Sequence, residues 1–490
     1  VRYLAGFGVG VRYGAHCSNL INLARGIVER VFYVVRDGAL VKAPQPRRGV
    51  FSRLQGVRKR LLGVLHPTPI VAREEYSGLY TGRKRGVYER AFESLTIRAI
   101  NLRDAWVSTF VKAEKINFSS KGDPAPRVIQ PRSPRYNLEV GRYLKLFEKE
   151  LCDGFRRVFG YKVILKGLNA QDVGAALHEH WCVFDQPVAI GLDASRFDQH
   201  VSVEALKWEH SIYNAVFKSP ELRRLLSWQL SNTGIARVED YVVRYTIDGC
   251  RMSGDINTGL GNCLIMSSMV IAYCESVGIK FRLANNGDDC VLFVDQSDLL
   301  KLAGIDDWML DFGFTLTREE PVFELEQVVF CQAQPVHTAS GWRMVRDPRT
   351  AMSKDCVTLK QWDDPKSFKL WATSIGKCGL SLTQGVPVWE AWYKRLIALG
   401  CGEESQGVDE DTWDSGMGYM SRGVPPCEIS QDCRYSFYKA FGILPDLQED
   451  LEAEYSQPVI LDAPAPMIPP ESQAIDRYFN PLALWLVTRR

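Results

Sequence analysis

The stretch Asn285-Asn286-Gly287-Asp288-Asp289-Cys290-Val291-Leu292-Phe293-Val294 sets an apolar run directly behind two adjacent carboxylates, with Asn-Asn-Gly in front. That order predicts a β-hairpin: a strand through Phe281 to Ala284, a tight turn, and a buried strand from Cys290 to Val294. The turn lifts Asp288 and Asp289 to the hairpin tip. Two adjacent acids repel each other, so a fold that keeps both usually supplies a cation. Hard carboxylate oxygens suit Mg²⁺, which is commonly held by one or two carboxylates together with substrate phosphates.

Upstream, Val188-Ala189-Ile190-Gly191-Leu192 is a short apolar run that reads as a buried strand ending at Asp193. Ser202 is placed to cap a helix carrying Ala205, Trp208, Ile212, Ala215 and Val216 at helical spacing. Residues 249–262 form a glycine-rich loop running into an apolar helix from about Leu260 to Val277. Pairing of the two acid-bearing strands would bring Asp193 beside Asp288. Separated carboxylates that bridge two Mg²⁺ ions fit in-line phosphoryl or nucleotidyl transfer. Such chemistry also needs cations for a triphosphate, and Lys112, Lys115, Lys121, Arg127, Arg132 and Arg135 are candidates.

The 490 residues can bury a large core and divide into two to four domains. Thirteen cysteines without paired C-x-x-C spacing favour a reducing compartment over a disulfide framework. No run of eighteen apolar residues occurs, so no transmembrane helix is expected. Residue 1 is Val, as expected of a fragment or processed piece whose targeting or membrane segment lies upstream. Residues 1–60 carry twelve Lys or Arg against Glu29 and Asp37, a basic end suited to nucleic acid or an anionic membrane, or simply a solvated arm. Residues 401–470 carry fourteen acids against three bases and read as a solvated face.

In coarse outline, a short helix is expected from Leu20 to Val35, and residues 73–105 look helical, through Tyr88 to Leu102. Prolines predict extended chain and loops over 111–143. Asp306 to Leu310 reads as a helix, Phe314 to Thr317 as a short strand, and Val328 to Gln332 as another buried strand. Residues 350–450 are mostly helical in pattern, and the proline-rich 456–472 reads as a linker. His178-Glu179-His180-Trp181-Cys182 does not have the spacing of a closed zinc site and reads as packing.

Taken together, several stretches resemble the viral RNA-dependent RNA polymerases, nearest to the tombusvirus–carmovirus group (Tombusviridae) of plant positive-strand RNA viruses. They are His66-Pro67-Thr68-Pro69-Ile70, Tyr80-Thr81-Gly82-Arg83-Lys84-Arg85, Pro126 to Arg132, Gly191 to His200, Ser253-Gly254-Asp255-Ile256-Asn257-Thr258, Gly287-Asp288-Asp289 and Phe330-Cys331-Gln332. They cover roughly 60–340 in the family's order. The resemblance implies an α+β right-hand polymerase with fingers, an antiparallel palm sheet, a helical thumb and closed fingertips. It divides the chain into a basic arm or fingertip layer (1–60), fingers (61–186), palm (187–335, with a fingers insertion near 218–248), thumb (336–455) and a proline-rich linker with C-terminal tail (456–490).

By the same resemblance, Asp193 and Asp288 are the metal-binding carboxylates and Asp289 a weaker third, with Mg²⁺ as cofactor and Mn²⁺ as a possible substitute. Asp198 and Asn262 sense the ribose 2′-hydroxyl, and Ser253, Gly254 and Thr258 belong to the same sugar-sensing and template-positioning loop. Arg127, with Lys112 and Lys115, contacts the triphosphate. Phe330, Cys331 and Gln332 form the turn supporting the priming strand. The family often places a lysine where this chain has Arg318, and an arginine donates a proton poorly, so that role is unassigned. The implied partners are RNA template and nascent RNA, ribonucleoside triphosphates and an upstream replicase portion joined by stop-codon readthrough. Replication on host cytoplasmic membranes, with the anchor outside this chain, and primer-independent initiation are implied as well. A reverse transcriptase shares the palm, but Asp198 with Asn262 favours ribose. A non-catalytic RNA-binding scaffold would have no need for Asp193, Asp288 and Asp289 together.

Overall fold

The computed structural model describes residues 2–3, 12–359, 365–400, 416–457 and 485–489. Its centre is a four-stranded antiparallel sheet. The strands follow the order Phe281–Asn286, Asp289–Asp295, Pro187–Ala194, Leu316–Arg318. Successive side chains of Pro187–Ala194 alternate between faces. Val188, Ile190 and Leu192 join the largest core with Phe147, Tyr213 and Leu264. Ala189 faces the other way, into a second core with Val173, Leu177, Val291 and Phe293. Both faces are therefore covered, which is why Cys290 to Val294 is apolar without alternation. The helix Thr258–Ser276 is buried along every side from Leu260 to Cys274, matching its uninterrupted apolar sequence.

A second sheet lies in the expected fingers region. Ser231–Val238 and Tyr241–Asp248 form a long hairpin, extended by Val107–Ser108 on one edge and Trp485–Arg489 on the other. Over the residues expected to form the thumb, the hairpin Ala333–Thr338/Gly341–Arg346 precedes helices Pro365–Thr383, Trp389–Leu399, Gln431–Phe441 and Pro445–Tyr455. Trp389, Trp392, Tyr393 and Phe437 fill their common core. The N-terminal part touches several regions: Arg2–Tyr3 pairs with Val357–Thr358, and Tyr13–Gly14 with Ile116–Asn117.

Four sequence expectations need correction. The extended chain predicted over 111–143 ends at Ser133, because Pro134 opens the helix Pro134–Phe159 instead of blocking one. Proline is favoured at the first helical position, where its missing N–H has no partner to lose. The helix expected from Leu20 to Val35 stops at Ile27, passes through a wider turn at Val28–Phe32, and becomes the strand Tyr33–Arg36. The helix expected to run to Leu102 is Gly82–Ile97. Val328 to Gln332 is not a strand: Phe330 and Ala333 exchange both backbone hydrogen bonds around a tight turn at Cys331 and Gln332. Most of the proline-rich linker and most of the acidic run before Gly416 lie outside the described residues.

Candidate active site

The hairpin tip is shaped by Gly287 and Asn285. Gly287 has φ +98°, a conformation that costs a residue with a Cβ. The buried Asn285 side chain closes the turn, donating from Nδ2 to the Gly287 carbonyl (2.9 Å) and accepting from the Gly287 N–H (3.1 Å). This brace sets Asp288 at the tip and starts the return strand at Asp289. In the ladder, Asp193 is opposite Asp289, not Asp288. Asp288 still acts on it: burial and the Asp288 charge together raise the Asp193 carboxyl above its usual range.

Burial also pushes Asp289 up to about 6, with the Asp288 charge adding to the shift and a hydrogen bond from the Cys331 N–H (2.9 Å) opposing it. Glu319, which the sequence reading did not single out, completes an acidic group. Burial and the Asp193 charge raise its carboxyl, and a Cβ at Gly191 would collide with it. Among the described residues, no three His, Cys, Asp or Glu side chains converge closely enough to hold a metal ion by themselves. The donor set instead suits a hard cation that takes its remaining ligands from substrate phosphates and water.

The Cys331–Gln332 turn is attached to this acidic group. Both residues have left-handed backbone, φ +53° and +61°, an uncommon pair without glycine. The Asp289 carboxylate holds the Cys331 N–H, and the Asn286 amide donates to the Cys331 Sγ (3.1 Å).

Asp198 lies just beyond the strand, past Arg196 in the left-handed region. Its Oδ1 accepts from Asn262 Nδ2 at 2.8 Å, so the two proposed sugar-sensing residues are in contact. Ser253 Oγ accepts from the Gln130 N–H (3.2 Å) and donates to the Val128 carbonyl (3.3 Å), tying its loop to the extended 128–130 segment. Thr258 Oγ1 bonds to the carbonyls of Met252 and Asp255, each at 3.0 Å. Gly254 is needed for a reason the sequence did not disclose: a Cβ there would strike the Pro131 backbone, which forms a bridge to it.

The basic candidates separate into two groups. Arg132 is buried against Asp255 and donates to Asn232 and to the Ala105 carbonyl, while Arg135 is buried against Asp104. Both are structural, which corrects their inclusion among triphosphate contacts. Arg127 and Lys112 share Glu114 (3.2 and 3.1 Å); Arg127 is exposed and Lys112 partly so. Lys115 reaches the end of the helix Pro348–Asp355, donating to the Lys354 carbonyl at 3.0 Å. Burial lowers its ammonium below the usual lysine value, against the charge of Asp355.

Arg30 and Arg196 were not assigned from sequence. The Arg30 guanidinium is pushed down to about 10 by burial and by the charges of Arg196 and Arg127. Arg30 and Lys121 line a cavity of about 510 Å³ with Arg196, and a neighbouring one of about 410 Å³ with Arg127, Lys115 and Gln332. The Lys121 charge in turn stabilises the Asp193 carboxylate. Arg318 bonds to Asp306 (2.9 Å) and to the Leu302 carbonyl (3.4 Å).

The family model described as viral RNA dependent RNA polymerase matches residues 1–461. The RNA-directed RNA polymerase of Turnip crinkle virus is 46% identical over 461 residues, covering 92% of this chain and 59% of that protein. Those of Pothos latent virus (isolate Pigeonpea/India) and Melon necrotic spot virus are 44% and 42% identical, covering 92% and 98% of this chain and 60% and 61% of theirs. The chain thus spans about three fifths of the length of these curated relatives. With a match running through the acidic hairpin, the Asp193 strand and the glycine-rich loop alike, the chain belongs to the viral RNA-dependent RNA polymerase family, and its matched relatives are those of the Tombusviridae.

Proposed function

We propose that this chain is the catalytic portion of an RNA-directed RNA polymerase, adding ribonucleoside triphosphates to an RNA 3′-hydroxyl on an RNA template with release of pyrophosphate. One observation carries the reading. Asp193, in the acidic group with Asp288 and Asp289, feels the charge of Lys121, which lines cavities with Arg30, Arg127 and Arg196. Acids for a cation beside a set of mutually repelling guanidiniums fit a nucleoside triphosphate.

In this proposal Asp193, Asp288 and Asp289 hold Mg²⁺, or Mn²⁺ in its place, in a two-metal arrangement. When bound, such ions stabilise the charge on the attacking and leaving oxygens. Arg30, Arg127, Arg196 and Lys121 bind and orient the triphosphate, with Lys112 and Lys115 at the edge of the same basic group. Asp198 accepts the ribose 2′-hydroxyl, held in place by Asn262. Ser253, Gly254 and Thr258 keep the loop against the 128–131 segment. The Phe330–Gln332 turn, fixed by Asp289, supports the priming strand.

The pairing of Arg2–Tyr3 with Val357–Thr358 and the Lys115 contact to Lys354 support closed fingertips; a start without primer is proposed by likeness to the family. An upstream replicase portion and a host-membrane setting in the cytoplasm are proposed by likeness to the family.

The test is incorporation by the purified chain with single-stranded RNA, four ribonucleotides and Mg²⁺ or Mn²⁺, without and with primer, beside Asp288→Ala. Template-dependent product from the wild type and none from the variant is expected. Equal product from both, or none from the wild type under any of these conditions, overturns the proposal for this chain.

A further inference from the structure

Behind Asp198 and Asn262 lies a pair of charges fully removed from water. Arg251 and Glu209 are ion-paired with side chains 0% exposed. Arg251 Nε donates to Asn262 Oδ1 at 3.2 Å, and the Arg251 backbone N–H donates to the Asp198 carbonyl at 2.8 Å. Glu209 is saturated in turn: its Oε1 accepts from Tyr213 (2.9 Å) and Asn257 (2.9 Å) as well as Arg251. Asn257 is held by Gln229, and Gln229 by His210. Gly261 belongs to the same construction, because a Cβ there would collide with both the Arg251 guanidinium and the Glu209 carboxylate.

Buried ion pairs are seldom more stabilising than apolar residues of the same volume, so this one invites a reason other than stability. The donor inventory supplies it. A guanidinium only donates, so the Asn262 atom facing Arg251 must be the carbonyl oxygen. The amide NH₂ then faces Asp198, whose Oδ1 accepts from it; burial raises the Asp198 carboxyl above its usual range, and this hydrogen bond opposes that shift by favouring the ionised, accept-only form. One Asp198 oxygen is thereby occupied, and the other is left to accept from a hydroxyl.

We propose that Arg251 and Glu209 are positioning residues for sugar selection, fixing which end of the Asn262 amide meets Asp198 and so keeping one Asp198 oxygen available to the ribose 2′-hydroxyl. Glu209 fixes the guanidinium and Arg251 fixes the amide. Without the guanidinium, the amide can turn its oxygen toward the carboxylate, and the carboxylate loses its anchor. The inference rests on the polymerase reading above and adds two residues from outside the sugar contact.

The experiment compares kcat/KM for a ribonucleoside triphosphate and its 2′-deoxy counterpart on one template, for wild type, Arg251→Lys, Glu209→Gln and Asp198→Ala, and for Arg251→Lys combined with Asp198→Ala. The ratio is internal to each preparation, so partial loss of folded enzyme cancels. Lysine also only donates, but its single nitrogen cannot serve Glu209 and Asn262 together as the Arg251 fork does, so Arg251→Lys is expected to lower ribose preference by about tenfold, with the loss in the ribonucleotide value and little change in the deoxynucleotide value. Glu209→Gln keeps the side chain's shape and is expected to give a smaller drop of about threefold, which serves if Arg251→Lys does not fold. In the Asp198→Ala background, Arg251→Lys is expected to change the ratio by less than about twofold, the signature of residues acting as one unit.

Equal losses for both sugars would mean a merely structural role and overturn the inference. So would an undiminished effect of Arg251→Lys in the Asp198→Ala background. A wild type that incorporates neither sugar defeats the polymerase reading itself, a result distinct from either.

Discussion

Asp193 and Asp289 face each other across an antiparallel ladder, on strands whose apolar residues are buried on both sides. Directly opposed acids are a destabilising cross-strand pair. The fold holds charge here that the uncomplexed protein would be more stable without.

Stability should therefore depend on pH in the direction opposite to that of an ordinary salt-bridged carboxylate. The unfolded chain releases the Asp289 proton near the usual value of about 3.9, whereas the native chain releases it at about 6. Between these values the native state binds more protons, so stability falls as pH rises through that window and levels off above it. Asp193 and Glu319, also raised, act in the same sense. Asp289→Asn is expected to flatten the slope and stabilise the metal-free chain at pH 7 by on the order of 1 kcal/mol, a figure discounted for partial solvent access. Urea unfolding with chelator at pH 4 to 8 checks this; a slope unchanged by the substitution counts against it.

Divalent cation should reverse that penalty. A ligand that binds only the folded state at about a hundred times its Kd adds about 2.7 kcal/mol. Mg²⁺ should raise the melting temperature at pH 7.5 in the wild type and much less in Asp193→Asn or Asp288→Asn. Equal shifts in all three proteins would place the ion elsewhere.

The basic residues should divide by burial. Asp255→Ala strands the Arg132 guanidinium in the interior and is expected to cost about 3–5 kcal/mol in chemical denaturation. Glu114→Ala removes a partner shared by an exposed arginine and a partly exposed lysine and should cost less than about 1 kcal/mol.

Arg30→Met should raise KM for the incoming triphosphate by about tenfold or more, since a charge-assisted hydrogen bond contributes roughly 1.5–3 kcal/mol. Stability should change little, because the arginine is already opposed by its burial and by Arg196 and Arg127. Steady-state kinetics at saturating template measures it. An unchanged KM would remove Arg30 from the triphosphate site.

Two glycines should respond unequally to alanine. At Gly254 the new methyl meets the Pro131 backbone, which cannot step aside, and a cost of about 1–3 kcal/mol is expected. At Gly191 it meets the flexible end of Glu319, which can move, so the cost should be under about 1 kcal/mol. Equal costs in denaturant melts would contradict this account.

How much of this was legible in the sequence depended on distance along the chain. The acidic hairpin, the strand ending at Asp193 and the helix Thr258–Ser276 are contiguous patterns, and they appear as read. The contact between Asp198 and Asn262 followed from family likeness, not from spacing. Glu209 did leave a trace: it interrupts the apolar stripe of Ala205, Trp208 and Ile212, and an acid on a buried face needs a partner. Nothing local identified that partner as Arg251. Arg132 looked like Arg127 in sequence, and only packing distinguished a buried structural cation from an exposed one. Pro134 was misread because a helix-blocking residue in the interior is a helix-starting one at the first position. Glu319 and Arg30 carried no signature.

The central strand also bears on when the catalytic centre comes into being. Pro187–Ala194 pairs with Asp289–Asp295 on one side and Leu316–Arg318 on the other, both far downstream. Such non-local pairings carry a loop-closure cost before any contact repays it, and they slow folding. While the chain is being synthesised, the Asp193 strand must wait for more than a hundred residues with its edges unpaired, and an unpaired edge is the aggregation-prone part of a nascent sheet. The acids can assemble only after the Asp289–Asp295 strand has emerged, so truncation before that point should yield an insoluble chain instead of a weakly active one.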